Sequence, residues 1–373
     1  MSSAALFQPE AAPPQYRKLL PGDRIASMRQ ACGAKASFTF DTMAGRYHLL
    51  GFFLALDSIQ IRDDIQAVLD RRDLFNDDHC SFTGVSITPG DRGLNNREPG
   101  IRFARDHDHS MARACGAVPL GSVPGEPMAV LRRWVVVDPS LHVLRVFPML
   151  TTPVSEVIAY IEGLPHPDRF GAVHRPAPIL MLPNVLEPDL CRRLIDIYET
   201  NGGAESGVHR DGVGVLDAGF KRRKDYTIQD AALLDELRWR IARRVLPEIE
   251  RLFFMKARWI ERHIVGCYHA DDGGHFAPHT DNGPGLTAHR RYAVSINLSG
   301  DFDGGEVVFP EYNQQGYKAP PGWAVVFPCA IIHAVRRVTR GVRYAYLPFV
   351  YDEAGHEIRE RELAKAAEAE AAG

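Results

Sequence analysis

The tripeptide His279-Thr280-Asp281 is followed 52 residues later by His333 and, ten residues beyond that, by Arg343. Two histidines and one carboxylate in this order are the donor set of a facial triad, which binds Fe(II) and leaves coordination positions open. An arginine presents a rigid fork of donors that matches a carboxylate, so Arg343 would hold an acidic cosubstrate. The tripeptide alone is weak evidence. The chain has 15 histidines, and His-x-Asp occurs four times, at His166/Asp168, His209/Asp211, His269/Asp271 and His279/Asp281. The elements that carry each copy must distinguish them.

Toward the C-terminal end, short strand-like runs are separated by Gly, Pro and Asp: ARWIERHIVGCYH, HFAPHTD, RYAVSINLSG, GEVVFPEY, WAVVFP, HAVRRV and VRYAYLPFVYD. Seven such runs predict a double-stranded β-helix, the jelly-roll architecture shared with cupins. Positions i and i+2 of a strand share a face, so His279 and Asp281 on the HFAPHTD strand should converge while Thr280 points away. His269/Asp271 runs into Asp272-Gly273-Gly274 and reads as a turn. His166/Asp168 lies in the Pro-rich segment 163–178, where no strand is available to aim it, and His209/Asp211 lies in the Gly- and charge-rich run 201–219, read as a long mobile loop. His333 opens HAVRRV directly after an apolar run, and alone it reads equally well as a core histidine. Arg343 separates the two readings. Thr339-Arg340-Gly341 looks like a turn, which would make HAVRRV and VRYAYLPFV adjacent antiparallel strands with His333 and Arg343 in one pocket. A buried arginine there would need an anion to meet it.

Length and composition set the frame. With 373 residues, 45% hydrophobic and 24% charged, the chain suits two domains of a soluble enzyme. A net charge of −3 and a pI near 6.6 provide no general attraction to nucleic acid or anionic membrane, so neither is expected as a partner. The start lacks a basic segment followed by an apolar core, and no run of 18 or more apolar residues occurs, which predicts a cytoplasmic protein. Six cysteines stand apart with no Cys-x-x-Cys pair, which argues against a zinc knuckle or a disulfide framework.

Before the Pro-rich segment, YHLLGFFLAL (47–56) reads as a buried strand, residues 58–75 as an amphipathic helix and 82–91 as a second strand. DHSMARACGA gives a short helix, and RRWVVVDPSLHVLRVFP a strand, a turn and a strand. The order β-α-β-α-β-β predicts an α/β domain. Beyond the segment, ILMLPNVLEPDLCRRLIDIYE gives a strand and a helix opened by Glu187-Pro188-Asp189, and a second helix is expected over about 229–254. The expected organisation is a domain over 17–162, a linker over 163–178, a domain over 179–351, and a helical or disordered tail over 352–373.

The strand and helix at 47–75, GVSITPGD, the acidic segment before CGA at 106–117 and VVVDPSLHVLRVF resemble the peroxiredoxin branch of the thioredoxin fold. That family's Pro-x-x-x-Thr-x-x-Cys pattern falls on Leu54, Ser58 and Ile61. Isoleucine has no thiolate, so the resemblance implies a redox-inactive module, a docking surface or a dimerisation unit that would make a homodimer.

CYHADDGGHFAPHTDN, INLSGDFDGGEVVFPEY, PPGWAVVFP and HAVRRVTRGVRY, in this order within 176–351, resemble the Fe(II)/2-oxoglutarate-dependent dioxygenases, particularly the prolyl-4-hydroxylase-like branch. The resemblance implies His279, Asp281 and His333 as iron ligands, and Arg343 as the partner of the distal carboxylate of 2-oxoglutarate. It also implies Tyr268 in the cosubstrate pocket, with Thr339 and Asn297 as further candidates there. The implied chemistry uses Fe(II), 2-oxoglutarate and O2, with ascorbate as a common reductant, releases succinate and CO2, and hydroxylates a peptidyl residue, an amino acid or a small metabolite. Two other readings stay open: a cupin-type metal oxygenase without 2-oxoglutarate, and a non-catalytic scaffold. Arg222, Arg223, Lys224, His289, Arg290 and Arg291 would suit an acidic substrate or simply be solvated.

Overall fold

The computed structural model describes residues 14–372 apart from Ala26, Ala34, Gly90, Arg92, Gly93, Val173, His174, Asp211 and Gly212. The chain is mixed α/β with several sheets, and divides into two compact units between His174 and Arg175. No helix among the described residues is long and apolar enough to cross a membrane.

The first unit runs β1 (Arg29–Cys32), β2 (Lys35–Thr39), β3 (Tyr47–Leu54), α1 (Ile59–Leu69), β4 (Cys80–Ser86) and β5 (Ile101–Arg105). It continues with α2 (Ser110–Ala114), β6 (Arg133–Val137), β7 (Val143–Pro148) and α3 (Val154–Glu162). Its seven strands form one sheet in the order β2-β1-β5-β4-β3-β6-β7, with β3, β4 and β5 parallel to one another. Every residue of β3 and β4 is buried, as expected of strands covered on both faces. Alternation divides their side chains between two cores: Leu49 and Phe82 join α1 and α3 on one side, and Leu50 and Val85 join α2 on the other. The hairpin β1–β2, the strand β5 and the helix α3 were not in the expected order. The first two are short runs interrupted by polar residues, whose strand character comes from their neighbours in the sheet.

Leu54, Ser58 and Ile61 fall on the turn from β3 into α1. Ser58 caps the helix, its hydroxyl accepting the Ile61 N–H at 3.2 Å, and Ile61 is fully buried. Burial raises the Cys32, Cys80 and Cys115 thiols, Cys115 to about 12, so none of the unit's cysteines is a ready thiolate at neutral pH.

The second unit opens with β8 (Leu180–Leu182) and α4 (Pro188–Asn201). Short strands follow at β9 (Ala204–Glu205), β10 (Val208–Arg210), β11 (Val213–Val215), β12 (Lys221–Arg222) and β13 (Lys224–Thr227). The segment 201–219, expected as a loop, thus contains the hairpin β10–β11. Next come α5 (Ala231–Arg244) and α6 (Leu246–Phe253) in place of the single helix expected over 229–254. Pro247 lacks an N–H and its ring would clash with the carbonyl four residues back, so the helix breaks at Val245. Both α4 and α5 bury one face, through Leu190, Leu194 and Tyr198 and through Leu233, Leu237 and Ile241.

The strands that bear the chemistry follow: β14 (Trp259–Glu261), β15 (Ile264–His269), β16 (His275–His279), β17 (Tyr292–Asn297) and β18 (Phe302–Gly304). Then come β19 (Val307–Val308), β20 (Gly316–Tyr317), β21 (Ala324–Pro328), β22 (His333–Val335), β23 (Val338–Tyr346) and β24 (Phe349–Tyr351), before a closing helix α7 (Glu353–Ala372). They form two antiparallel sheets in a jelly-roll-like arrangement. The smaller has the order β12-β16-β22-β19-β20, and the larger is built around β14-β24-β17-β23-β15-β13-β9.

Candidate active site

The β16–β22 pairing places His279 directly opposite His333, with ring centroids 4.2 Å apart. Phe276 stacks on the first ring at 3.5 Å, and Phe327 lies 4.6 Å from the second, so both imidazoles are clamped. The Asp281 carboxylate reaches both, 3.6 Å from His279 Nε2 and 3.2 Å from His333 Nε2. Each ring turns its other nitrogen to a backbone carbonyl, His279 Nδ1 to Ala277 at 2.8 Å and His333 Nδ1 to Ile331 at 3.1 Å. A carbonyl only accepts, so each Nδ1 carries a proton and each Nε2 is left to face the carboxylate. Burial, reinforced by the neighbouring His333, pushes His279 down to about 4, so it brings no second proton at neutral pH. Asp281 is held well below the usual carboxylate range because the two histidines outweigh its burial.

Three side-chain atoms of the kind that bind metals thus converge. Two ligands about 2.1 Å from one ion at right angles lie ~3 Å apart, which these separations approach. Among the described residues, this is the only group of three or more metal-binding side chains with all donor atoms within 4.8 Å of one another. The donor set fits a divalent ion of the iron class.

Arg343 lines the same cavity. It is almost fully buried, and burial lowers its pKa. Its Nε donates to Asn297 Oδ1 at 3.0 Å and its Nη2 to Ser295 Oγ at 2.9 Å, while Nη1 has no hydrogen-bond partner among the described residues. A buried guanidinium with a free donor and no carboxylate hydrogen-bonded to it among the described residues fits an incoming anion. Tyr268 pairs with Arg343 in the β15–β23 register, with its ring 5.2 Å from the guanidinium carbon, and lines the cavity. Its hydroxyl accepts from Arg223 Nη1 at 3.2 Å.

The structure corrects several expectations about how these residues are positioned. The strand ends at His279, and Asp281 lies on a bend beyond it. Its N–H donates to Cys329 O at 2.9 Å, and that tie, not strand alternation, aims the carboxylate. Thr339-Arg340-Gly341 is not a turn but part of β23, and β22 pairs with β16 and β19. His333 and Arg343 therefore come from different sheets and meet across the cavity. Gly341 misleads because its φ of +72° is needed within the strand: a Cβ there would lie 2.4 Å from Asp301 O. Thr339 is exposed and does not line the cavity. Asn297 does not line it either; it holds Arg343 and donates to Ala319 O.

Of the other His-x-Asp copies, His269/Asp271 is an exposed local pair in which His269 Nδ1 accepts the Asp271 N–H at 3.1 Å. His166/Asp168 is likewise an exposed pair at 3.5 Å. Asp211 lies outside the described residues. Arg222 and Lys224 are engaged with Asp272, Arg290 with Glu261 and Arg291 with Asp352, and His289 is buried against Glu261.

Sequence reasoning missed Ser295 and Arg262, and left Arg223 between a contact for an acidic substrate and a solvated charge; all three line the cavity. Ser295 could have been found, because in YAVSIN the polar Ser295 and Asn297 stand at i and i+2 on an otherwise apolar strand. Nothing local marks the two arginines.

Residues 264–351 match the family model described as the 2OG-Fe(II) oxygenase superfamily. This span contains the triad, Tyr268 and Arg343. A PKHD-type hydroxylase from Synechococcus sp. is 34% identical over 117 residues, covering 28% of this chain and 51% of the relative. One from Paracoccus denitrificans is 39% identical over 84 residues, covering 20% and 37%. The chain thus spans about half the length, or less, of these curated relatives. Among solved structures, a Pseudomonas putida prolyl-4-hydroxylase is similar at 16% identity and a TM-score of 0.35, covering 50% of this chain and 96% of that one. The Mycobacterium tuberculosis peroxidoxin BcpB is similar at 16% identity and a TM-score of 0.33, covering 39% and 96%.

Proposed function

We propose that this protein is an Fe(II)- and 2-oxoglutarate-dependent hydroxylase whose chemistry lies in the second unit, over residues 179–351. One observation carries the reading: two imidazole nitrogens and a carboxylate converge, within one cavity, on the side of a buried arginine whose Nη1 has no hydrogen-bond partner among the described residues. His279, Asp281 and His333 would hold the metal, and Arg343 would bind the distal carboxylate of 2-oxoglutarate. When bound, iron and 2-oxoglutarate supply the activation of O2, with succinate and CO2 as coproducts.

The chain's own contribution is position. Ala277 O and Ile331 O fix the imidazole tautomers, and Phe276 and Phe327 fix the ring planes. Ser295 and Asn297 orient the Arg343 fork and leave Nη1 available for a carboxylate. Val307, Val335, Phe327 and Phe349 line the remaining wall and exclude water. The substrate is an organic C–H donor, either a peptidyl residue or a small molecule.

We read the first unit, over 17–162, as a redox-inactive thioredoxin-like module that docks a partner or dimerises. What supports this is Ile61 at the start of α1 and the raised cysteine thiols.

The test is incubation of the full chain with Fe(II), 2-oxoglutarate and a cell extract, following succinate and any molecule that gains one oxygen atom. His279→Ala and Asp281→Ala should each abolish succinate formation and lower metal content. Metal-dependent oxidation that proceeds without 2-oxoglutarate would instead indicate a cupin-type oxygenase. Unchanged metal content in both variants would refute the site.

A further inference from the structure

The cavity holds more positive charge than the proposed chemistry uses. Arg223 and Arg262 line it together with Arg343. Asp225 is already saturated by Arg223, through Nε at 2.6 Å and Nη2 at 2.7 Å, and by the Ser206 hydroxyl. Arg262 shares this carboxylate only through Nη2 at 3.4 Å, the one hydrogen bond its guanidinium makes among the described residues. Its backbone is left-handed, with φ +62°, a conformation costly for a long side chain, at the turn from β14 to β15. Strain of that kind persists where surrounding structure enforces it, often beside a ligand. The guanidinium carbon lies 5.3 Å from the centre of the Phe349 ring, another cavity residue.

The lining shows what this arginine is for. Three guanidinium groups, of Arg223, Arg262 and Arg343, line the cavity beside one carboxylate, Asp281. Of the carboxylates outside the lining, Asp225 belongs to Arg223 and Glu306 acts on Arg343, so Arg262 has no carboxylate of its own. Lys221, sealed beside Phe276 at 4.8 Å, adds little charge, because burial pushes it down to about 6. Beside Arg262 the wall is apolar: Leu347, Pro348 and Phe349.

We propose that the substrate of this site carries a single carboxylate, bound by Arg262, on an apolar body that lies against Leu347, Pro348 and Phe349. This deepens the hydroxylase reading and rests on it. A carboxylate would give the half-buried Arg262 an anion of its own in place of the long contact with Asp225, which an uncharged body would not.

The experiment uses the full chain loaded with Mn(II), which does not turn over, and saturating 2-oxoglutarate to occupy Arg343. Hexanoate is the probe, read by paramagnetic broadening of its methyl proton signal. Hexanoate should bind the wild type about tenfold or more tightly than hexanamide, the loss expected when a charge-assisted hydrogen bond is removed. Arg262→Gln should abolish that preference while binding Mn(II) and 2-oxoglutarate like the wild type, and Arg262→Lys should restore part of it. Equal broadening by hexanoate and hexanamide in the wild type would overturn the inference, and this arm needs no variant to fold. So would an unchanged preference in Arg262→Gln, or tighter binding of hexyl phosphate than of hexanoate. A wild type that takes up Mn(II) but no 2-oxoglutarate would instead overturn the hydroxylase reading beneath it.

Discussion

Replacing Arg343 with methionine separates its proposed role in cosubstrate binding from its role in the fold. Methionine keeps much of the stem's volume but removes the fork that Ser295 and Asn297 hold. A charge-assisted contact of this kind contributes ~1.5–3 kcal/mol, so 2-oxoglutarate should bind roughly 10–150-fold more weakly. At a concentration one hundred times its dissociation constant, the cosubstrate stabilises the wild type by ~2.7 kcal/mol through mass action, and the weakened complex by only ~0.3–1.4 kcal/mol. For a unit of this size each kcal/mol moves the melting midpoint by ~2–4 °C. The rise of ~5–10 °C caused by 2-oxoglutarate should therefore fall to half or less in Arg343→Met. Without 2-oxoglutarate the variant should melt close to the wild type, because two effects of ~1–3 kcal/mol oppose each other: relief of a buried cation, and loss of the donors to Ser295 and Asn297. The assay is scanning calorimetry in excess Mn(II), with and without 2-oxoglutarate. An equal rise in both proteins would refute the placement of the cosubstrate at Arg343.

Two further outcomes test the fold around the site and the first unit. Asp106 is raised to about 7 by burial, against the N–H donors of Met111 and Ala112 that hold it at 3.0 and 2.7 Å. The unfolded carboxyl loses its proton near pH 4 and the folded one only near pH 7, so stability is greatest below the lower value and falls as pH rises through the window. His48, buried and lowered well below its ordinary value, contributes with the opposite sign near pH 6 but is common to wild type and variant. Hydrogen exchange at Met111 and Ala112, corrected for intrinsic rates, should speed up between pH 5 and 8 in the wild type and less steeply in Asp106→Asn; parallel slopes would contradict the raised carboxyl. In the second unit, Gly341→Ala would set a methyl 2.4 Å from Asp301 O at a positive φ. It should lower the melting midpoint by several degrees, on the order of 2 kcal/mol, and an unchanged midpoint would show that β18 yields easily.

The residue types proposed to hold the metal, and their order, were legible in the sequence because binding such an ion would restrict residue chemistry very strongly. His279, Asp281, His333 and Arg343 could be named without coordinates, as could Ser58 and Ile61 at the turn into α1. The partners that aim these residues were not, because they depend on contacts between segments distant in the chain. Cys329 O fixes Asp281, Asn297 supports Arg343 without lining the cavity, and the two sheets bring His333 and Arg343 together even though their strands do not pair. Gly341 shows the limit: locally it signals a turn, and only the close approach of Asp301 reveals why a strand needs it. Arg262 shows the same limit from the functional side. Its sequence neighbours make it one arginine among many, and only the tertiary structure shows that its nearest carboxylate is already taken by Arg223.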